Sequence, residues 1–266
     1  MQNFSIHTHT VGYDGKNTVA EMIQYAIRLK WEAIGISNHI EFHENLPLFH
    51  SMFFSDYHKA KELYKRTINE IKEQAAKENI QVLAGFEVDF FKGKKWRHDF
   101  EALLKEIECD YLIGSTHCLY NEDESIIMHL YDYNRPEVPN KEFIDSYWSN
   151  IKEAIKSGYF DMIAHIDLIK RFGLDKEEYK EDKIEIAELL SKYKVSTELN
   201  TGNYSKNKMF YPSVELLKIL KDHDVPIMIS DDAHSIETLG QNFSYAEQLL
   251  TQIQYTKRIT VEDLKL

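Results

Sequence analysis

Short apolar runs alternate with longer stretches of helical periodicity along the whole chain. Segments 4–7, 33–37, 81–88, 110–116, 160–165, 195–200 and 226–230 are rich in Ile, Val, Leu, Phe and Tyr, and most are nearly continuous in apolar residues. Such runs predict parallel strands buried on both faces. Between the first two, segment 18–30 places Val19, Met22, Ile23, Ala26 and Ile27 on one stripe, and Thr18 with Glu21 makes a capping-box pattern at its start. Segments 56–78, 141–157, 184–193, 214–222 and 236–253 repeat the helical theme. Seven strand–helix units predict an α/β fold, a TIM-like parallel β/α barrel with seven strands; a doubly wound open sheet is the rival. No linker or repeat interrupts the series, so 1–266 reads as one domain. Loops 41–55 and 119–140 are long, acidic or aromatic, and are expected to overhang the mouth of the barrel.

The polar residues that end these runs decide between barrel and open sheet. Six of the twelve histidines sit there: His7 and His9 in SIHTHT, His39 in ISNHIE, His117 in IGSTHC, His165 in MIAHID and His234 in ISDDAH. Glu87 ends another run, in LAGFEVD. An open sheet gathers its ligands near one switch point, whereas a barrel turns the C-terminal end of every strand to one mouth. Strands one to five and strand seven each deliver a candidate at that end, which favours the barrel. Imidazole and carboxylate are the ligand set of Zn, Mn and Fe. The pattern predicts one multinuclear metal site drawn from the whole fold, which is catalytic in style; structural zinc takes four ligands, often Cys, from nearby positions.

The individual motifs differ in weight. His7 and His9 alternate with Thr8 and share a strand face. Asp232 and His234 do the same if SDDAH stays extended, with Asp231 pointing outward or capping the next helix. Glu87 is a carboxylate in an apolar run, a costly placement unless paired or coordinated; Asp89 shares its face. Asp14 lies in the turn YDG, where Gly15 permits a tight bend, and alone it reads as a turn residue. His39, His117 and His165 each have an ordinary reading as a cap or a hydrogen-bonded core histidine. The joint pattern carries the site. His43, His50, His58, His98, His129 and His223 fall in loops or helices and read as mostly solvated, with His43, His50 and His129 in the mouth loops, where substrate contact is open to them.

Composition narrows the chemistry. Of 266 residues 43% are hydrophobic and 12% aromatic, enough for a sizeable core. The net charge of −12 repels phosphate backbones, so nucleic acid is not an expected partner. Cys109 and Cys118 make no disulfide framework and read as small buried apolar residues. No run approaches the ~20 apolar residues of a membrane span; the protein is expected to be soluble, cytoplasmic and without a membrane partner. The sequence fixes no oligomeric state. There is no GxSxG and no phosphate-cradling glycine loop, so a protein nucleophile is not indicated.

Taken together, HTH with YDG downstream, SNH, GFE, STH, AHID and SDDAH resemble the polymerase-and-histidinol-phosphatase (PHP) superfamily of metal phosphoesterases. GFEVDFF, IGSTHCL, MIAHIDLIKRFG and TELNTG are most similar to its histidinol-phosphatase branch. The resemblance implies a distorted seven-stranded β/α barrel with two or three divalent metal ions. It implies a first metal on His7, His9, Glu87 and Asp232, and a second on Glu87, His117 and His165. A third would take Asp14, His39 and His234, although several relatives carry His in the Asp14 loop or a ligand one residue later. It further implies hydrolysis of a small phosphate monoester, L-histidinol phosphate, in histidine biosynthesis. Attack would come from a hydroxide shared by two metals and bridged by Glu87, with Asp232, His234 or metal-bound water as proton donor. Arg171 falls where the family contacts phosphate. Lys206 and Lys208, after TGNYS, are further candidates for phosphate, and Glu41 or Phe42 for the imidazole and amine. The alternatives are a PHP phosphoesterase for another monoester or a nucleotide, and a non-catalytic metal-binding barrel.

Overall fold

The computed structural model describes residues 1–46, 54–132 and 141–264. Among them nine strands form. Seven make one parallel sheet: β1 (Phe4–Ser5), β2 (Ala33–Ile40), β3 (Gln81–Asp89), β4 (Tyr111–Ser115), β7 (Met162–Ile163), β8 (Ser196–Asn200) and β9 (Ile227–Ser230), joined in that order. The remaining two, β5 (Cys118–Tyr120) and β6 (Ile127–His129), form an antiparallel hairpin inside the segment expected to be loop. Around the sheet run α1 (Val19–Arg28), α2 (Tyr57–Ala75), α3 (Lys94–Leu104), α4 (Lys141–Ser157), α5 (Lys180–Tyr193), the one-turn α6 (Tyr204–Asn207), α7 (Val214–Asp222) and α8 (Phe243–Gln252).

The sheet curls until its two edges meet, so the expected barrel is the observed one. At the top of the seam the chain beyond β1 pairs with the chain beyond β9: Thr8 bridges Ala233, and the His9 N–H donates to the Ala233 carbonyl at 2.8 Å. Lower down the Gln2 carboxamide stands in for a peptide unit, accepting from the Ile229 N–H at 2.8 Å and donating to its carbonyl at 2.5 Å. Strands this short would otherwise leave buried backbone groups unpaired.

Period-two alternation divides the barrel interior into two levels. The lower level is apolar: Phe4, Ala33, Leu83, Tyr111, Ile113, Met162 and Met228 form one cluster. The Tyr111 ring fills the middle of it, against Gly35 and Gly85. A Cβ at Gly85 would come within 2.4 Å of that ring, so glycine is required there. Two residues above Gly85 on the same strand face is Glu87, and the level it begins is polar. The outward faces of the strands pack on the helices in a second, larger cluster that includes Ile34, Ile36, Phe86 and Val88.

Some local expectations change. Thr18 caps α1 with a full capping box, as the pattern required, but Ile27 is on the exposed side. Helix α3 went unpredicted because KKWRHDFEALL buries only Trp96, Phe100 and Leu103 and has no side-chain N-cap. The helix expected over 236–253 begins only at Phe243, because Gly240 (φ 73°) and Asn242 (φ 60°) adopt left-handed backbone. Cys118 is buried but Cys109 only half-buried. Among the described residues no helix is long and apolar enough to cross a membrane.

Candidate metal centre

Glu87 is the hub of the upper level and is 1% exposed. His7 Nε2 (3.2 Å), His39 Nδ1 (3.3 Å) and His9 Nε2 (3.5 Å) face its Oε2. On its Oε1 side are His165 Nε2 (2.9 Å) and His117 Nε2 (3.6 Å). Asp232 Oδ1 lies 3.1 Å from His9 Nε2, 3.6 Å from His7 Nε2 and 3.7 Å from His234 Nδ1. Asp14 Oδ2 lies 2.7 Å from His234 Nε2 and 3.4 Å from His39 Nε2. All nine residues singled out in the sequence therefore converge, although His7 and His234 stand at opposite ends of the chain.

The backbone explains the convergence. Parallel register sets His39 directly opposite Glu87. A Cβ at Gly15 would come within 2.5 Å of the His9 backbone, so this glycine lets the turn bearing Asp14 fold onto the strand end. Two residues use strained backbone to face inward: Asp232 has φ 48° and His165 φ 22°.

Electrostatics separates the groups. Burial alone would raise the carboxyl groups of Glu87 and Asp232, but the surrounding imidazoles, His7 foremost, hold both well below the usual range. Burial and the neighbouring His234 push His9 down to about 4 against the pull of Asp14, so its ring is neutral. His7 goes the other way: despite burial, Glu198, Asp232 and Glu87 raise it.

Several buried nitrogens have no hydrogen-bond partner: His7 Nε2, both nitrogens of His9, and His39 Nδ1. Each such group costs about 1–3 kcal/mol if nothing satisfies it. Five overlapping sets have ligand atoms within 4.8 Å of one another: His7–His9–Glu87, Glu87–His117–His165, His9–Asp14–His39–His234, His7–His165–Asp232 and His39–Glu41–Asp89–His117. Unpartnered imidazole nitrogens facing carboxylates are the donor set of a borderline divalent cation, which would take the place of the protons the rings otherwise hold, so the residues fit such ions.

A cavity of about 490 Å³ opens above these groups. Asp14, His39, Glu87, His117, His165, Asp232 and His234 line its floor, and Arg171 and Lys206 belong to its wall. Lys208 is not part of the lining: it ends α6 with left-handed backbone, and its ammonium lies 5.0 Å from the centre of the Tyr204 ring. Phe42 is also outside it, buried and stacked on Trp96. Glu41, His129 and Tyr131 do line the cavity. His43 and His129 are buried instead of solvated, His43 at 3.1 Å from Glu124 and His129 at 3.8 Å from Glu41. His50 lies outside the described residues.

Sequence reading missed Glu198, Asn200, Asn203 and Tyr211. The last three line the cavity wall, and nothing in their pattern marks them. Glu198 carried little signal, because β8 reads STELN and only Leu199 in it is apolar, so a carboxylate there does not stand out as Glu87 does.

A parallel barrel with buried imidazoles and carboxylates converging at its mouth defines a class. Residues 4–202 match the PHP domain, and the chain belongs to that family. It is 27% identical over 176 residues to a probable histidinol-phosphatase of Deinococcus radiodurans, a match that covers 63% of each chain, less than two thirds of that relative's length. It is 23% identical over 278 residues to a probable histidinol-phosphatase of Schizosaccharomyces pombe, covering 97% of this chain and 89% of that one. A histidinol phosphate phosphatase from Lactococcus lactis, solved with zinc, L-histidinol and phosphate, superposes with a TM-score of 0.74 at 18% identity over 96% of this chain and 95% of that one.

Proposed function

We propose that this chain is a metal-dependent phosphoric monoester hydrolase and that its substrate is L-histidinol phosphate. The observation that carries the reading is the gathering of five imidazoles around Glu87 at the floor of a cavity whose wall bears Arg171 and Lys206. The substrate follows from the two relatives named as probable histidinol-phosphatases and from the zinc, histidinol and phosphate held by the Lactococcus lactis enzyme.

His7, His9, Glu87 and Asp232 would hold one ion, and Glu87, His117 and His165 a second. Asp14, His39 and His234 would hold a third. Zinc, manganese and iron all suit these donors. Bound there, such ions neutralise phosphoryl oxygens and acidify a water as the nucleophile.

The chain's own groups do the rest. Glu87 spans two of the sets with its two oxygens and keeps them in register. Arg171 and Lys206 bind the phosphate from the wall. The Arg171 guanidinium is 5.0 Å from the centre of the Tyr131 ring, a stack that restricts its rotamers before substrate arrives. Glu41 lines the cavity with its Oε2 unpartnered and would accept from the imidazole or amine of the substrate. The proton for the leaving alkoxide comes from the side of the site that bears Asp232 and His234.

The test is elemental analysis of the purified protein alongside phosphate release from histidinol phosphate. The expected result is at least two bound transition-metal ions per chain and turnover that a chelator abolishes. Metal-free protein with undiminished turnover overturns the reading.

A further inference from the structure

Glu198 sits on β8 beneath the centre and is 0% exposed. Four donors converge on it. Its Oε2 accepts from His7 Nδ1 at 2.9 Å and from the Ser230 hydroxyl at 2.5 Å. Its Oε1 accepts from the His165 N–H and from Asn200 Nδ2, both at 2.9 Å. Asp89 repeats part of this pattern across the site. One of its oxygens accepts the His117 N–H at 2.8 Å, and the other lies 2.9 Å from His117 Nδ1. Asp89 is 2% exposed.

We propose that Glu198 and Asp89 are positioning residues for the metal centre: each holds one imidazole by its Nδ1–H and turns that ring's Nε2 toward Glu87. The inference rests on the ligand roles given above to His7 and His117.

The tautomers follow from elementary bonding. An ionised carboxylate only accepts, so a ring nitrogen at 2.9 Å from it carries the proton. In the neutral ring the other nitrogen then bears the lone pair. For His7 that nitrogen lies 3.2 Å from Glu87 Oε2 and 3.6 Å from Asp232 Oδ1, and nothing donates to it. For His117 it lies 3.6 Å from Glu87 Oε1. The two oxygens of Glu87 are thus addressed by two rings, each anchored from behind by its own carboxylate. Such an anchor fixes ring orientation and makes the free nitrogen more basic.

Glu198 does more than Asp89. By holding the His165 N–H it also fixes the backbone at φ 22°, where a third ring is presented to Glu87. Asn200, which donates to Glu198, also donates to Asp232 Oδ2 at 3.3 Å. A space-filling role alone would need no such set of donors from the chain beyond β1 and β7 and from the ends of β8 and β9.

The experiment compares wild-type protein with Glu198→Gln and Asp89→Asn, each stripped of metal and titrated with zinc against a chromophoric chelator. Melting of the metal-free forms is followed in parallel. A glutamine or asparagine keeps the shape but sets an NH₂ against donors, so zinc affinity is expected to fall about 10–100-fold in each variant. Excess zinc should restore most of the phosphate release. Zinc affinity equal to wild type in folded variants overturns the proposal, as does a fall in melting temperature with affinity unchanged, the mark of a purely structural role. If Glu198→Gln does not fold, Asp89→Asn decides by the same titration. Wild-type protein that binds no zinc removes the ligand reading and the proposal with it; wild type that binds while both variants match it removes the positioning role only.

Discussion

His39 and Glu87 stand directly opposite each other on β2 and β3, and His39 Nδ1 lies 3.3 Å from Glu87 Oε2. Their closeness is a property of strand register. A one-residue slip of β3 would send Glu87 to the helix-facing side and bring Phe86 or Val88 into the mouth opposite His39. Eight residue pairs fix that register, from Ala33 opposite Gln81 to Ile40 opposite Val88. Sites built on strands hold their geometry more tightly than sites built on loops, and Glu87 inherits that rigidity.

Glu87 is therefore the residue whose change should be least tolerated. Glu87→Gln keeps the shape but removes the charge that five imidazoles face. Losing about 4 kcal/mol of transition-state stabilisation lowers kcat roughly 10³-fold, and bound metal should fall with it. Steady-state kinetics with elemental analysis checks both. Turnover at the wild-type level in that variant would refute the site.

The cavity wall separates its three basic candidates. Arg171→Ala and Lys206→Ala each remove a charged donor from the lining. Hydrogen bonds to charged groups are worth about 1.5–3 kcal/mol, so each variant should lose about 10–100-fold in kcat/KM, chiefly through KM. Lys208 lies over Tyr204 outside the lining, and Lys208→Ala should match wild type. Phosphate-release kinetics on the three variants tests the ranking; an unchanged KM in Arg171→Ala would remove Arg171 from the phosphate pocket.

The barrel and its ring of polar strand ends were legible because both are periodic. Apolar runs marked the strands, and six imidazoles at five run ends marked the mouth. Glu198 went unassigned because its strand, STELN, is polar at four of five positions, so a carboxylate there is no anomaly, and it has no histidine beside it in sequence. Asn200, Asn203 and Tyr211 were illegible, since an exposed polar residue and one on a cavity wall look alike in one dimension. The β5–β6 hairpin was taken for loop because its strands are three residues each, shorter than any alternation can mark. Lys208 was drawn in by proximity to Lys206, and the left-handed end of α6 sets the two apart.

Glu41 should govern selectivity more than rate. It is 2% exposed, lines the cavity and has an oxygen with no partner. A substrate carrying an imidazole or amine supplies a donor; p-nitrophenyl phosphate supplies none. Burial, with Asp89 and Glu87 nearby, raises the Glu41 carboxyl well above the usual range, so Glu41→Gln should lower the ratio of kcat/KM for histidinol phosphate to that for p-nitrophenyl phosphate only about two- to tenfold, the worth of one ordinary hydrogen bond. An unaltered ratio removes Glu41 from substrate recognition.

The floor of the barrel makes a prediction about stability alone. A methyl group at Gly85 meets the Tyr111 ring at 2.4 Å, and the ring is held by a hydrogen bond from its hydroxyl to the Ile6 carbonyl at 2.5 Å. Gly85→Ala should destabilise the fold by about 1–3 kcal/mol, the usual range for overpacking. Adding Tyr111→Leu should recover part of that loss, since the two sites share one contact. Urea denaturation of the single and double variants measures the coupling; simple additivity would contradict it.

The seam predicts a pH dependence. Glu247 on α8 accepts from the Gln2 N–H at 2.7 Å and pairs with Arg258 at 3.1 Å, tying both ends of the described chain to one helix. Burial opposes its ionisation, but Arg258 and the Gln2 N–H outweigh that and hold its pKa below 4.5. A carboxyl group with a depressed folded pKa contributes stability above its unfolded value, and that stability is lost as pH falls through the folded value. At pH 7 Glu247→Gln should therefore lose about 1 kcal/mol, typical of a partly buried charged contact. Between the unfolded value near 4.5 and the lower folded one the gap between wild type and variant should close, and below both it should vanish. Denaturant midpoints for the two proteins across the acid range supply the comparison. A gap that stays constant with pH would mean that the contact works through packing and not through charge.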